Sequence, residues 1–283
     1  IDGPVRVGKW KPENYDRRYR GEVTLGDAFA KSLNTIAVKL VGQTGSKRVA
    51  ATARRMGIAT KLERNASLAL GTSEVSLMEL TAAYAPFSNG GMRARPYLIN
   101  RITDHKGKIL YKRGKRPKIR VVEPGTLGLM NGMLHQVTTR GTGKAARIKG
   151  HFAGGKTGTS QNSRDAWFIG HTAHLVTGVW FGNDNNKPTK KLTGGSLPAK
   201  AWASYMTAAH QGLEKKMLPG DDFILATLPA ALPAPKSRPR LASDPKPSLR
   251  ERVFGSLKRS RDRTVTGDVK KRRTILDIIF GSK

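Results

Sequence analysis

The 283 residues include 52 Lys and Arg against 20 Asp and Glu, a formal charge of +32, and 37% are hydrophobic; the length suits one or two domains. Cysteine is absent, which excludes a disulfide framework, thiolate metal ligation and a cysteine nucleophile. No apolar run reaches the roughly 18–20 residues of a membrane-spanning helix. The chain opens on Ile1 rather than Met, as expected of a piece of a longer polypeptide or a processed product.

The first predicted helix begins after Thr24, an N-cap with Asp27 three residues on and Leu25, Ala28 and Phe29 on one face. A polar interruption, Ser32-Leu33-Asn34, precedes a second apolar stretch from Ile36 to Val41. Ser46 caps a third helix with Val49, Ala50, Ala53 and Met56 on one face and Gly57 past its end. Ser76-Leu77-Met78-Glu79 fits a capping box. The helix it starts carries Leu80, Tyr84 and Phe87 and stops at Asn89-Gly90-Gly91. Tyr97 to Thr103 and Lys108 to Tyr111 are predicted as a hairpin turning at Asp104-His105-Lys106-Gly107. Pro124 suits the first turn of a helix running to about Val137.

After Gly154-Gly155 the period becomes strand-like over Lys156 to Ser160, Ala166 to Gly170 and Leu175 to Phe181. A polar turn at Asn183–Asn186 follows, and Ala199 to His210 is predicted as the closing helix. Helices on either side of mixed strands define an α/β (α+β layered) domain over residues 1–212. Residues 229–247 hold six prolines, so 213–283 is expected to be a Pro-rich, basic and mostly disordered tail. Within it Val253-Phe254-Gly255-Ser256 resembles Ile279-Phe280-Gly281-Ser282. The repeat suits a docking peptide for an envelope protein or an anionic membrane surface.

The charge is spread rather than focused: residues 1–210 hold 35 basic and 12 acidic side chains, and 211–283 hold 17 and 8. Such a field attracts nucleic acid, lipid headgroups or anionic envelope polymers. A nucleic-acid module concentrates charge beside aromatics or on a reading element, and here one concentration stands out. Lys106 to Arg120 contains eight Lys/Arg and no acid, which reads as a solvated hairpin and loop. A basic nucleic-acid-binding protein and a non-catalytic envelope-binding protein are therefore the alternatives to an enzyme. His171 and His174 read as strand-end residues, and Asp165 as a residue ordering the turn after the lysine strand.

Gly150, Gly155, Lys156 and Thr157 match the phosphate-cradling P-loop pattern, which requires a strand before it and a helix after it. Ala145-Ala146-Arg147-Ile148-Lys149 is no apolar strand, and Gly158, Thr159, Ser160, Asn162 and Ser163 make a poor helix start. Lys156–Ser160 is better read as a strand. Alternation then places Lys156, Gly158 and Ser160 on one face and Thr157 and Thr159 on the other. The lysine joins the threonines only if the strand borders a cleft. Gly158 leaves room for another group to approach the strand closely.

Ser32-Leu33-Asn34 followed by Lys156-Thr157-Gly158 resembles two signature elements of penicillin-binding proteins and their β-lactamase relatives. The flanks Trp10–Asn34, Leu70–Gly91, Gly141–Gly143, Ala153–Gly182 and Gly194–Ala199 are similar, in the same order, to the transpeptidase domain of class A penicillin-binding proteins. The resemblance implies the penicillin-binding-protein/β-lactamase-like transpeptidase fold. It implies a serine-type D,D-transpeptidase acting on D-Ala-D-Ala stem peptides of peptidoglycan, acylated by β-lactams. No cofactor, metal or specific nucleic acid is implied.

The resemblance gives Ser32 a proton-relay role, Asn34 a hold on the substrate backbone through both amide functions, and Lys156 a charge near Ser32 and the substrate carboxylate. Thr157 and Thr159 become hydroxyl donors to that carboxylate, with the Thr159 N–H as half of an oxyanion hole and Gly158 between them. The family's serine-x-x-lysine tetrad, which carries the nucleophile, precedes the serine-x-asparagine element; none precedes Ser32. Ser243-Asp244-Pro245-Lys246 has the pattern but sits in the Pro-rich tail, and is read as chance. The nucleophile, a membrane anchor and a glycosyltransferase domain are therefore expected before Ile1. The expected location is the periplasmic side of the bacterial inner membrane, and the 283 residues alone are expected to be inactive.

Overall fold

The buried centre is a strand, β4 (Asp165–His171), every residue of which is buried. It pairs antiparallel with β3 (Gly154–Thr159) and with β5 (Val176–Gly182), giving the order β3-β4-β5. The pairs Lys156↔Ile169 and Trp167↔Trp180 fix the register. This is the computed structural model of the chain, and it describes residues 1–220.

Both faces of the sheet are covered, which is why β4 is apolar at successive positions rather than at alternate ones. On one face Trp167 and Ile169 pack with Leu80, Tyr84 and Phe87 of α4 (Leu77–Ser88) and Leu134 of α5 (Pro124–Thr139). On the other, Phe168 meets Trp202 and Met206 of α6 (Leu197–Ala209). The Phe168 and Trp202 rings lie edge to face with centroids 5.2 Å apart, a favoured aromatic geometry. The remaining helices, α1 (Leu25–Ala30), α2 (Asn34–Thr44) and α3 (Ser46–Met56), precede this layer. A buried 3-10 turn, Ala66–Leu70, packs against α2 through Ala69 and Leu70; it is too short to show a period in the sequence.

Two of the start signals act as expected, whereas Ser46 is the first residue of α3 rather than its cap: Gly45 takes the cap position, and the Ser46 hydroxyl donates to the Arg64 carbonyl instead. The Thr24 hydroxyl accepts the Asp27 N–H. Ser76 and Glu79 form the reciprocal box, the hydroxyl accepting the Glu79 N–H and the carboxylate accepting the Ser76 N–H. The Glu79 carboxylate also accepts from the Thr60 hydroxyl and the N–H groups of Ala59 and Thr60, which holds it below the usual carboxylate range.

The predicted hairpin is shorter than expected. Its strands are β1 (Arg101–Thr103) and β2 (Ile109–Lys112), exposed throughout, with pairing that begins at Arg101 rather than Tyr97. A two-stranded ribbon without a covered face sustains only a short ladder.

His171 ends β4 and donates to Asn131 Oδ1 at 3.0 Å. The Asn131 amide NH2 is engaged by the carbonyls of Phe87 and Pro219, which fixes these roles. Burial pushes its imidazole down to about 3, so it is neutral. Packing continues past Gly212, since Leu218 is buried. The linker, the repeated patches and the Ser243–Lys246 tetrad lie outside the described residues.

Candidate functional site

Ser32 sits where helix α1 ends. The Leu33 N–H bonds to the Ala28 carbonyl and the Ser32 N–H to the Phe29 carbonyl, at 2.9 and 3.1 Å, the paired bonds of a Schellman turn. That turn needs a left-handed residue, usually glycine, and here Ser32 takes it with φ +55°. Left-handed backbone costs an L-residue about 1–2 kcal/mol. Ser32 lines a cleft of about 350 Å³.

Lys156 reaches that hydroxyl. It is completely buried in β3, and its Nζ donates to Ser32 Oγ at 2.8 Å and to the Thr157 carbonyl at 3.1 Å. The second bond shows the side chain bending back along its own strand. Alternation sets the direction of Cβ and leaves the end of a four-carbon stem free to turn, so lysine and threonines serve one site from opposite faces. Burial pushes the ammonium down to about 7. At neutral pH the group is divided between amine and ammonium, the condition a proton relay needs.

Thr157 and Thr159 both line the cleft. The Thr157 hydroxyl is 2.7 Å from that of Thr142, and the Thr159 hydroxyl accepts the Gly194 N–H at 3.1 Å. Gly158 allows close approach, as its sequence position suggests. Gly194 packs so tightly on the Gly158 backbone and the Trp167 carbonyl that a Cβ at residue 194 would overlap both. Across the cleft Gly141 is seated on the Ala30 carbonyl with no room for a Cβ, and the Thr142 N–H donates to the same carbonyl. The loop 141–143 thus joins the end of α1 to β3.

Asn34 differs from expectation. Its Nδ2 is committed to the Glu13 carbonyl at 2.8 Å, while its Oδ1 is buried with no hydrogen-bond partner among the described residues. One amide function, the acceptor, rather than both, is unpaired, and it is buried. Lys156, Gly158 and Asn34 support the cleft without forming its lining, whereas Ser32, Thr157 and Thr159 line it.

The remaining lining includes Asn14, Tyr15, Asp16 and Arg20 on one side and Thr193 and Ser196 on another. Sequence reasoning assigned these residues no role. Flanking similarity was the signal for all but Thr193, which lies just outside the similar stretches, because hydroxyls and charges scattered along the chain have no period. Asp165 is buried and acts as a turn organiser, accepting from the Ser160 hydroxyl and the Trp180 indole N–H. The P-loop pattern is interrupted by the fold: Lys156 and Thr157 lie inside β3, and no α-helix follows them before β4.

A strand carrying Lys-Thr-Gly-Thr thus lies beside a Ser-x-Asn turn, in a sheet covered by helices on both faces. Residues 2–207 match the family model of the penicillin binding protein transpeptidase domain, and the chain belongs to that family. It is 36% identical over 223 residues to penicillin-binding protein 1A of Aquifex aeolicus, covering 78% of this chain and 30% of that protein. To penicillin-binding protein 1A of Rickettsia conorii it is 32% identical over 247 residues, covering 77% and 31%. The chain thus spans about a third of the length of the curated relatives it matches.

The crystal structure of penicillin-binding protein 1A from Haemophilus influenzae superposes with a TM-score of 0.69 at 26% identity, covering 77% of this chain and 39% of that one. The PonA1 protein of Mycobacterium tuberculosis in complex with penicillin V shares the fold, with a TM-score of 0.69 at 22% identity, covering 76% and 64%.

Proposed function

We propose that this chain forms the substrate-binding walls of a peptidoglycan D,D-transpeptidase, with the serine nucleophile supplied from outside these 283 residues. The observation that carries the reading is the buried Lys156 Nζ to Ser32 Oγ bond beside two cleft-lining threonines. The terminal carboxylate of a D-Ala-D-Ala stem, or of a penicillin, accepts the Thr157 and Thr159 hydroxyls. Each such bond to a charged group contributes about 1.5–3 kcal/mol. The nucleophilic serine adds to the penultimate D-Ala carbonyl, and Ser32, backed by Lys156, delivers the proton that lets terminal D-Ala leave as an amine. An amine from a neighbouring stem then attacks the acyl ester, forms the cross-link and returns the serine. The Thr159 N–H serves as half of the oxyanion hole, a type of donor whose loss lowers rate by about 10²–10³.

Stem peptides and β-lactams are the partners, and the periplasmic side of the inner membrane is the location that this substrate requires. Fluorescent penicillin tests the reading. The 283-residue chain stays unlabelled. A longer polypeptide from the same coding sequence, including the residues ahead of Ile1, is labelled on a serine ahead of Ile1. Labelling of any serine within the 283 overturns the placement of the nucleophile, and no labelling of the longer polypeptide overturns the transpeptidase reading.

A further inference from the structure

Behind the Ser32–Asn34 turn lies a polar network that no part of the proposed reaction uses. Asp2 is 1% exposed. Its carboxylate accepts from Asn14 Nδ2 at 2.9 and 3.1 Å, from the Arg20 N–H at 2.9 Å, and from the Thr35 hydroxyl. Its own N–H and carbonyl pair with Gly21. Asn14 is held with both amide functions defined: Nδ2 gives to Asp2 and to the Arg18 carbonyl, and Oδ1 takes the Thr35 N–H. The Arg20 guanidinium stands 3.8 Å from the carboxylate, its other nitrogen bound to Asp16.

These bonds tie the segment 13–21 to the first turn of α2. That helix has no side-chain N-cap, because Leu33 occupies the position, and the Thr35 N–H it leaves open is the one Asn14 satisfies. Glu13, adjacent to Asn14, supplies the carbonyl that captures Asn34 Nδ2 and so points Asn34 Oδ1 away from it. A buried carboxylate is tolerated only when its lone pairs are met, and here every donor that meets them belongs to the segment or to α2.

We infer that Asp2 is a positioning residue for the site: it locks the 13–21 segment against α2 and thereby fixes the orientation of the Asn34 amide, with Nδ2 on the Glu13 carbonyl and Oδ1 unpaired, beneath the Ser32 wall of the cleft. The inference rests on the proposed transpeptidase reading for its catalytic consequence, though not for the amide orientation itself.

Two measurements separate these. In the 283-residue chain, nitrogen-15 NMR of the Asn34 side-chain amide reads the lock directly. The wild type shows slowly exchanging, well-separated Nδ2 protons. The Arg20 N–H and the Thr35 hydroxyl bond to different oxygens of Asp2, so Asp2→Asn turns its NH2 toward one donor or the other, and the Asn34 signals collapse toward solvent-exposed values. The exchanged pair Asp2→Asn with Asn14→Asp restores one donor–acceptor relation and recovers part of the separation. In the longer polypeptide, Asp2→Asn lowers the rate constant of penicillin acylation about 10²-fold, the scale of a small misplacement of reacting groups. The exchanged pair regains at least tenfold.

Thr35→Val keeps the shape and removes one bond to Asp2, so it gives an intermediate loss should Asp2→Asn not fold. Unchanged Asn34 signals in Asp2→Asn, or in Thr35→Val if only that variant folds, overturn the inference. A wild-type longer polypeptide that is never acylated overturns the transpeptidase reading while the NMR result still decides the role of Asp2.

Discussion

The two walls of the cleft are built by opposite means. The Lys156 wall is a strand edge held by apolar packing: β4 is buried behind it, with Phe168 on Trp202 on one face and Trp167 and Ile169 among aliphatic and aromatic side chains on the other. The Ser32 wall is a helix end held by polar bonds, from the Schellman turn to the Asp2, Asn14 and Thr35 network. Packing resists displacement in every direction but specifies no atom's orientation, whereas hydrogen bonds specify orientation with little bulk. The Lys156–Ser32 hydrogen bond, with one partner from each wall, draws on both, as the proposed proton relay would need.

The comparison makes the packed wall the one whose damage is global. Trp202→Ala leaves a cavity beneath β4 and lowers unfolding stability by about 3–5 kcal/mol, read as an earlier midpoint in urea with the cleft lost together with the fold.

Lys156→Met separates the wall from its chemistry. Penicillin acylation of the longer polypeptide falls about 10²–10⁴-fold, the scale of a removed acid–base group, while melting temperature at pH 7 rises because a buried, desolvated amine has gone. The sign with pH follows from the direction of the shift. Unfolding returns Lys156 from about 7 to the usual lysine value of about 10.4, so between those values the unfolded chain binds more protons. Stability attributable to this group therefore rises with pH across that window. Melting curves from pH 6 to 10 should show the rise in wild type and its loss in Lys156→Met; equal slopes would remove Lys156 as the cause.

The smallest effect belongs to the polar wall. Ser32→Gly and Ser32→Ala both lack the hydroxyl, but only glycine relieves the left-handed backbone. Ser32→Gly is expected to be about 1 kcal/mol more stable than Ser32→Ala by chemical denaturation, with acylation lowered alike in both. If alanine matches glycine, the turn is not strained.

The same division explains what was legible in the sequence. The Leu80, Tyr84 and Phe87 stripe, the Ser76–Glu79 box and the three strands after Gly154 announce themselves because packing imposes a period and caps have fixed spacing. The Asp2, Asn14 and Thr35 contacts span 12 to 33 residues, and a bond across such a gap imposes no period at all. Lys156 was legible as a residue but not in direction, since alternation describes Cβ and the chemistry sits at Nζ. Ser32 was legible through its motif and not through its backbone, because a serine where glycine is usual conceals the Schellman turn.

Gly141 and Gly194 carry a consequence for how such a cleft can change over generations. Each presses backbone directly onto backbone, on the Ala30 carbonyl and on the Gly158 strand, so neither admits even one added methyl without moving a wall. A change in cleft shape near these glycines therefore has to come from neighbours whose side chains line the cleft, such as Thr142, Thr193 and Ser196. The two glycines leave the frame itself without mutational latitude, and what latitude the cleft has lies in the side chains that line it.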